Sequence, residues 1–561
     1  MSDSPVQLIN PSINKGSAFS QEERKNLKLC SWLPYGINSL DNQIKRAYRQ
    51  YQNAESNLEK NAFLVSMRDQ NTVLFYALLQ THLIEMLPII YTPTEGEAIK
   101  KFSALFRKPE GCFLSFPHIK NQKDIEELYD DHVKEQNSID LIVVSDGEQI
   151  LGIGDQGVGC MGISTAKATL YTAIAGIDPV KTVSICLDVG TNNTSLLKDP
   201  LYLGWKSNRI EGECYENFIN QFVSATRNRF PNALIHFEDF GLHNAKKILD
   251  NYQNKHAVFN DDIQGTGAVT LACIKSALIE TGRKIKDAKV VIFGAGTAGM
   301  GICEQIADAK QFALKEDDSA EKKYVSDQFW IIDKEGLIFD DMIDKKAKIG
   351  FAKTRANFAR KASEREMYKN GSSLLEVIKK IQPDILIGTS TQPGAFTQEI
   401  VESMSKNVER PIILPLSNPT ELHECTPKDA LKWSKGKAII ATGSPFDPVT
   451  IDSGDKYFIS EYNNALIYPG ISLGAIISKS NLLTKSMIVA ASDALSKQVT
   501  KEERKKGMIL PDLERVQEVN VNIAVAVIEQ SRKDGSNKRD FKDSDDIKKI
   551  VRAYQWKAEY K

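Results

Sequence analysis

The feature that most constrains this chain is the run VVIFGAGTAGMGICEQIA, residues 290–307. An apolar stretch leads straight into Gly294, Gly296, Gly299 and Gly301, and a helical pattern follows at once. A dinucleotide pyrophosphate needs that arrangement. One glycine allows the tight bend, the next lets the backbone approach the phosphates, and the helix N-terminus supplies amides and a favourable dipole. Glycines also serve plain close packing, but strand, turn and helix in this order favour the binding reading. Asp333, in QFWIIDKEG, closes the next apolar run, 37 residues after Gly296. The usual spacing is about 20, and the charged insert at 314–323 accounts for much of the excess. A carboxylate there accepts from the adenine ribose hydroxyls and repels a 2′-phosphate. The expectation is NAD or NADP with a mild lean to NAD, softened by Lys334 beside the acid.

Around this loop the chain reads as α/β with helical ends. IDLIVVSDG (139–147), TVSICLDVG (182–190) and NALIHFEDFG (232–241) alternate with helical stretches, and each closes on an acid or glycine. Parallel strands have this texture, and their C-terminal edges are where sites are built. DILIGTS, PIILPLSNPT and AIIATGSPF continue the pattern after Asp333. The expected layout is a helical region at 1–80, an α/β substrate domain at 81–275, a Rossmann-type NAD(P)-binding domain at 276–475 and a helical region at 476–561. Residues 353–372 carry so many charges that they are expected to be solvated. Leu513, Val516, Val519, Ile523 and Val527 form one apolar helical stripe, and the charged tail beyond offers little chemistry.

Charge excludes some classes of function. Lys and Arg total 72 against 73 Asp and Glu, so no nucleic-acid or anionic-membrane coat is expected. No apolar run approaches the roughly 18 residues of a membrane span. Eight cysteines are scattered without a CxxC, which reads as reduced thiols. The N-terminal MSDSPVQLINPSINKGS has no basic residue before Lys15 and no apolar core. The expected compartment is the cytoplasm.

FEDFG (237–241) and FNDDIQGTG (259–267) each place two adjacent acids after an apolar run. Glu238, Asp239, Asp261 and Asp262 are hard oxygen donors, suited to magnesium or manganese rather than zinc. Acid pairs of this kind also serve as surface turns and caps.

Together these segments resemble the malic enzymes, from about residue 25 to 530. The strings that carry the likeness are YTPTEGEA (91–98), ILGIGDQGVGCMGISTAKATLYTAIAGI (150–177), LDVGTNN, HFEDFG, FNDDIQGTGAV, GAGTAGMG, LSNPT (416–420) and NNALIYPG (463–470). The resemblance implies oxidation of L-malate with NAD or NADP and a divalent metal, then decarboxylation to pyruvate. It implies Tyr91 as general acid, Lys167 as general base with Asp261 as its electrostatic partner, and Glu238, Asp239 and Asp262 as metal ligands. Asn418, Asn463 and Asn464 match positions that contact substrate or nicotinamide, and the family forms dimers and tetramers. The chain departs from the pattern at Gln149, in DGEQILG, where many members carry an arginine that would grip a substrate carboxylate. Gln70 stands near a position of the family's fumarate site, so no fumarate activation is expected. A malolactic enzyme, releasing lactate from the same scaffold, is the alternative reading. A nucleotide-binding regulatory homologue without turnover is the third.

Overall fold

In the computed structural model the described residues are 5–133, 139–150, 152–315, 325–343, 350–368, 372–418, 420–451 and 454–561. Most of the insert at 314–323 lies outside them. The chain forms two compact units, Met1–Gly241 with Arg552–Lys561, and Leu242–Val551.

After two short helices, Val6–Ile9 and Gln21–Asn26, the first unit continues with the helices Leu40–Gln52, Asn57–Gln70 and Thr72–Thr81. Ser56 and Glu59 form a reciprocal capping box on the second of these, and the Asn71 side chain caps the third. Four strands follow: β1 (Cys112–Ser115), β2 (Leu141–Ser145), β3 (Thr182–Asp188) and β4 (Leu234–Phe237). They pair in parallel in the order β1-β3-β2-β4, so all four C-termini lie along one edge. The helix Cys160–Ala175 packs against β2 and β3 and also against helices Thr72–Thr81 and Thr94–Lys100. Covered on both sides, it has apolar and small residues nearly all round, and it stops at left-handed Gly176, φ 68°. The tail expected to carry little chemistry returns to this unit. Tyr554 Oη donates to Asp140 at 2.5 Å, and Trp556 N donates to the Gly176 carbonyl at 2.7 Å.

The second unit holds β5 (Val258–Asn260), β6 (Val290–Phe293), β7 (Phe329–Asp333), β8 (Gly336–Leu337), β9 (Ile385–Gly388), β10 (Ile412–Pro415) and β11 (Ile439–Thr442). Its seven-stranded sheet runs Ser460–Glu461, β11, β10, β9, β6, β7, β8, and only β8 is antiparallel to its neighbour. The chain starts in the middle at β6, proceeds to β7 on one side, then crosses to β9 on the other. That reversal makes β6/β9 the switch point where a doubly wound sheet binds its ligand. Helices Tyr468–Ile477, Lys485–Ser496 and Val516–Asp534 pack together, with Val516, Val519, Ile523 and Val527 buried. The stripe seen in the sequence is thus a helix core. Leu513 falls one turn earlier, in the short 3-10 turn Leu513–Arg515.

Candidate functional site

In the first unit the site is built on the end of β4. Alternation along the strand puts His236 and Glu238 on one side, and the strand pairing persists one residue past β4, Glu238 N donating to the Val144 carbonyl at 2.9 Å. Asp239 then takes a left-handed φ of 55°, a conformation costly for a residue with a Cβ and most often kept at functional turns. Its carbonyl accepts from Gln149 N at 3.2 Å, which fixes Gln149 beside the strand end. Gly241 is required by its neighbour: a Cβ there would lie 1.9 Å from a Glu148 carboxylate oxygen.

Facing β4 is the helix Cys160–Ala175, whose four-residue spacing sets Lys167 and Tyr171 on one face. The four side chains close into a buried network. Lys167 Nζ sits 3.0 Å from Glu238 Oε1, Glu238 Oε2 lies 2.5 Å from His236 Nε2, and His236 Nδ1 lies 2.6 Å from Tyr171 Oη. Lys167 and Glu238 are 1% and 2% exposed, and His236 is fully buried. A carboxylate only accepts, so His236 Nε2 donates to Glu238, while Nδ1 and the Tyr171 hydroxyl share the second hydrogen bond. Lys167 and His236 thus both face the Glu238 carboxylate. Tyr91, directly after the helix Leu83–Ile90, presents its ring 5.1 Å from Lys167 Nζ. Tyr91, Lys167, Glu238, Asp239 and Gln149 therefore come to one strand edge of this unit.

The adjoining loops are held by Arg209. Its Nε meets Asp155 Oδ2 at 2.8 Å and its Nη2 donates to the Asp146 carbonyl at 2.7 Å. Burial raises the Asp155 carboxyl, but the Arg209 hydrogen bonds and charge outweigh burial and hold it below its ordinary value. This anchors GDQG (154–157) and TNN (191–193) to each other, with Thr191 Oγ1 also donating to Asp155 at 2.8 Å.

In the second unit the acids Asp261 and Asp262 follow β5 in a widened turn, Asp261–Gly265, that feeds the helix Thr266–Thr281. Asn260 caps the turn, its Oδ1 accepting from Ile263 N at 2.9 Å. Gly265 makes room for Asp261: a Cβ at 265 would lie 1.8 Å from Asp261 Oδ1. Asp261 is buried and Asp262 half-buried. Asn464 reaches this turn, donating to Thr266 Oγ1 at 3.3 Å. Asn463 instead caps its own turn, accepting from Ala465 N at 2.9 Å. Asn418 lies exposed past β10, its Oδ1 accepting from Ser444 Oγ at 2.8 Å.

The glycine loop divides its labour visibly. Gly294 has φ 112°, and a Cβ would meet the Thr389 carbonyl carbon at 2.5 Å. At Gly299 a Cβ would lie 2.0 Å from the Gly294 carbonyl oxygen, so this glycine closes strand on helix. At Gly296 nothing lies within 4 Å. The loop thus leaves one glycine facing open space at the start of helix Thr297–Lys315, the cradle a pyrophosphate requires. Asp333 ends β7 beside it. The cation next to Asp333 is Arg355, Nη2 to Oδ2 3.1 Å, and Arg355 Nε also donates to the Ala295 carbonyl at 2.9 Å. Lys334 is 79% exposed and pairs with Glu335. The charged stretch expected to be solvated therefore reaches the loop through Arg355, and it buries Thr354, Phe358 and Tyr368.

Sequence reasoning did not single out His236, Tyr171 or Arg355. The signals were present for two of them: His236 is two residues from Glu238 on a strand, and Tyr171 four from Lys167 on a helix. Nothing local marks Arg355.

The second unit's strand order and loop define a dinucleotide-binding α/β protein. Residues 263–532 match the family model "Malic enzyme, NAD binding domain", and residues 68–253 match "Malic enzyme, N-terminal domain". The chain belongs to the malic enzyme family. It is 46% identical to "NAD-dependent malic enzyme 3" of Bacillus subtilis, over 99% of this chain and 95% of that protein. It is 43% identical to "NAD-dependent malic enzyme" of Sodalis glossinidius, over 95% of this chain and 92% of that one. Among solved structures, the malic enzyme of Entamoeba histolytica aligns with TM-score 0.56 at 22% identity, over 94% of this chain and 90% of that one. The malic enzyme of Pyrococcus horikoshii aligns with TM-score 0.54 at 23% identity, over 84% and 88%. These two likenesses speak for the fold.

Proposed function

We propose that this chain is an NAD-dependent malic enzyme, oxidising L-malate at carbon 2 and releasing the carbon-4 carboxylate as CO2 to leave pyruvate. The observation that carries the reading is the buried Lys167–Glu238 pair beside the Tyr91 ring, in a chain of this family. Glu238, Asp239 and Asp262 are assigned to one divalent cation, magnesium or manganese. The donors fit it: all are hard oxygens, and Glu238 and Asp239 are buried together at one strand end with the backbone turned sharply between them and the next residue. When bound, the cation supplies a Lewis acid and the nicotinamide an electron acceptor.

The chain's own residues do the rest. Lys167, as a neutral amine, takes the carbon-2 hydroxyl proton, and the ammonium formed is met by Glu238 in its own unit, with Asp261 assigned as a further electrostatic partner. Tyr91 is assigned to deliver a proton to carbon 3 after CO2 departs, and Lys167, whose Nζ lies 5.1 Å from the centre of the Tyr91 ring, to restore it. Gln149, held to Asp239 through its backbone, offers a neutral amide where an arginine would make a bidentate ion pair, so carboxylate binding here relies on other groups. Asn418 and Asn464 are assigned to substrate and nicotinamide contacts. Asn463 is assigned there too, acting through the turn it caps. Gly294, Gly296 and Gly299 seat the pyrophosphate, and Asp333 the adenine ribose.

Lys167→Ala separates these roles: it should abolish malate oxidation while leaving NAD affinity in calorimetry unchanged. Turnover retained by that variant would remove Lys167 from the chemistry. We further place the protein in the cytoplasm as a homodimer or homotetramer. No single helix among the described residues is long and apolar enough to cross a membrane. Light scattering on the eluting peak reads the oligomeric state, and a monomer would refute it.

A further inference from the structure

A cavity of about 340 Å³ lies wholly within the first unit, separate from the Lys167–Glu238 network. Its body is apolar, walled by Leu64, Phe102, Leu105, Phe113 and Met161. Its polar groups are Asn61, Arg68, Glu95, Arg107, Lys108 and Glu110, with Asp188 and a few hydroxyls besides. That composition, a large apolar volume with a few convergent polar groups, is the common make-up of a small-molecule site.

The charges sort into committed and available ones. Arg68 is committed, donating to Thr169 Oγ1 at 3.0 Å and ion-paired with Glu110. Glu95 is 6% exposed and accepts from Asn61 at 2.9 Å. Burial pushes its carboxyl up to about 7, so near neutrality it carries only part of its charge. Arg107 donates to Asn61 Oδ1 at 2.8 Å, and burial outweighs the nearby acids enough to pull its guanidinium below the ordinary value. A desolvated guanidinium with an under-compensated charge favours a planar anion, which it can hold bidentately. Lys108 at the exposed rim adds positive charge and makes no ion pair among the described residues.

We propose that this cavity is a binding site for a small amphipathic carboxylate, its head group on Arg107 with Lys108 nearby and its aliphatic body among Leu64, Phe102, Leu105 and Met161. The location gives such a ligand leverage on turnover. The helix Thr94–Lys100, three residues past Tyr91, forms one wall through Glu95, Ala98 and Ile99. The helix of Lys167 forms another through Met161, Gly162, Thr165 and Ala166. The two helices touch at Gly162, where a Cβ would lie 2.7 Å from Ile99 Cγ1. An occupant wedged beside that contact changes the spacing between the helix that follows Tyr91 and the helix that carries Lys167.

The test is calorimetry on the full chain with octanoate, 1-octanol and octylamine as probes. The expected result is saturable octanoate binding at least tenfold tighter than octanol and no saturable octylamine binding. Arg107→Met, which keeps the stem and removes the fork, should erase the tenfold preference while the melting temperature of the variant confirms folding. Leu105→Trp, at the half-buried wall, should block octanoate and octanol alike. Equal affinity for octanoate and octanol, undiminished octanoate binding by either variant, or no saturable binding would overturn the proposal. Saturating octanoate should also change kcat by twofold or more in the wild type and not in Leu105→Trp, and an unchanged kcat would refute the leverage argument.

Discussion

Two glycines three residues apart should fail in opposite ways when given a methyl group. In Gly299→Ala the new Cβ lies 2.0 Å from the Gly294 carbonyl oxygen and 2.8 Å from Thr389 Oγ1. The first obstacle is backbone, so no rotamer relieves it and the start of helix Thr297–Lys315 must move off β6. Overpacking of that kind costs about 1–3 kcal/mol or somewhat more. At about 2 °C per kcal/mol, the low end that suits so long a unit, melting should fall by on the order of 2–6 °C. In Gly296→Ala nothing lies within 4 Å of the new Cβ, and the backbone there is not left-handed. Folding stability should hold or rise by about 0.4–1 kcal/mol, because the unfolded chain loses freedom. The methyl instead occupies space the pyrophosphate needs, and the apparent affinity for NAD should fall at least tenfold, about 1.4 kcal/mol. Differential scanning calorimetry and NAD titration of both variants separate the two effects. Wild-type NAD affinity in Gly296→Ala would show that the phosphates do not pass this glycine. Unchanged melting of Gly299→Ala would refute the close-contact argument.

His236→Ala removes the group that orients Glu238 and should weaken manganese binding about 10- to 100-fold in calorimetry without substrates, with His236→Gln recovering part of the loss; equal affinity in all three proteins would make the network merely structural. Asp333→Ala should raise KM for NAD and narrow the preference over NADP, because Arg355, 3.1 Å from that carboxylate, is then free to meet a 2′-phosphate; an unchanged ratio of kcat/KM for the two nucleotides would contradict this. Burial pushes the Glu95 carboxyl up to about 7 from its ordinary 4.5, so the native state binds its proton more tightly than the unfolded chain. Its contribution is therefore full below about pH 4.5 and is lost as pH rises through 7, by on the order of 3 kcal/mol at most. Urea midpoints at pH 5 and pH 8 should show the wild type losing stability relative to Glu95→Gln, and parallel profiles would count against the buried acid.

The framework was legible because its signals are local. Apolar runs closed by Asp333, Asp146, Asp188 or Glu238–Asp239 read as strands, and each became one. The glycine loop announced both its turn and its helix. Asp333 could be found in spite of a long spacing because the strand before it is unmistakable. What could not be read depends on tertiary contact. Arg355 sits among charges that suggest solvent, yet one turn of helix aims it at Ala295 and Asp333. Lys334, adjacent in sequence to Asp333, points away instead. His236 looked like part of an apolar run, and only burial against Tyr171 and Glu238 gives it a task. The tail followed the same rule: its charge suggested little chemistry, and Tyr554 and Trp556 nonetheless bind back to the first unit.

The most direct test of the central claim is absorbance at 340 nm with L-malate, NAD and manganese, coupled to quantification of pyruvate and lactate. NADH and pyruvate should form in equal amounts, with no reaction without the divalent metal and slower reduction of NADP. Lactate without net cofactor reduction, or no turnover with either nucleotide, would contradict it.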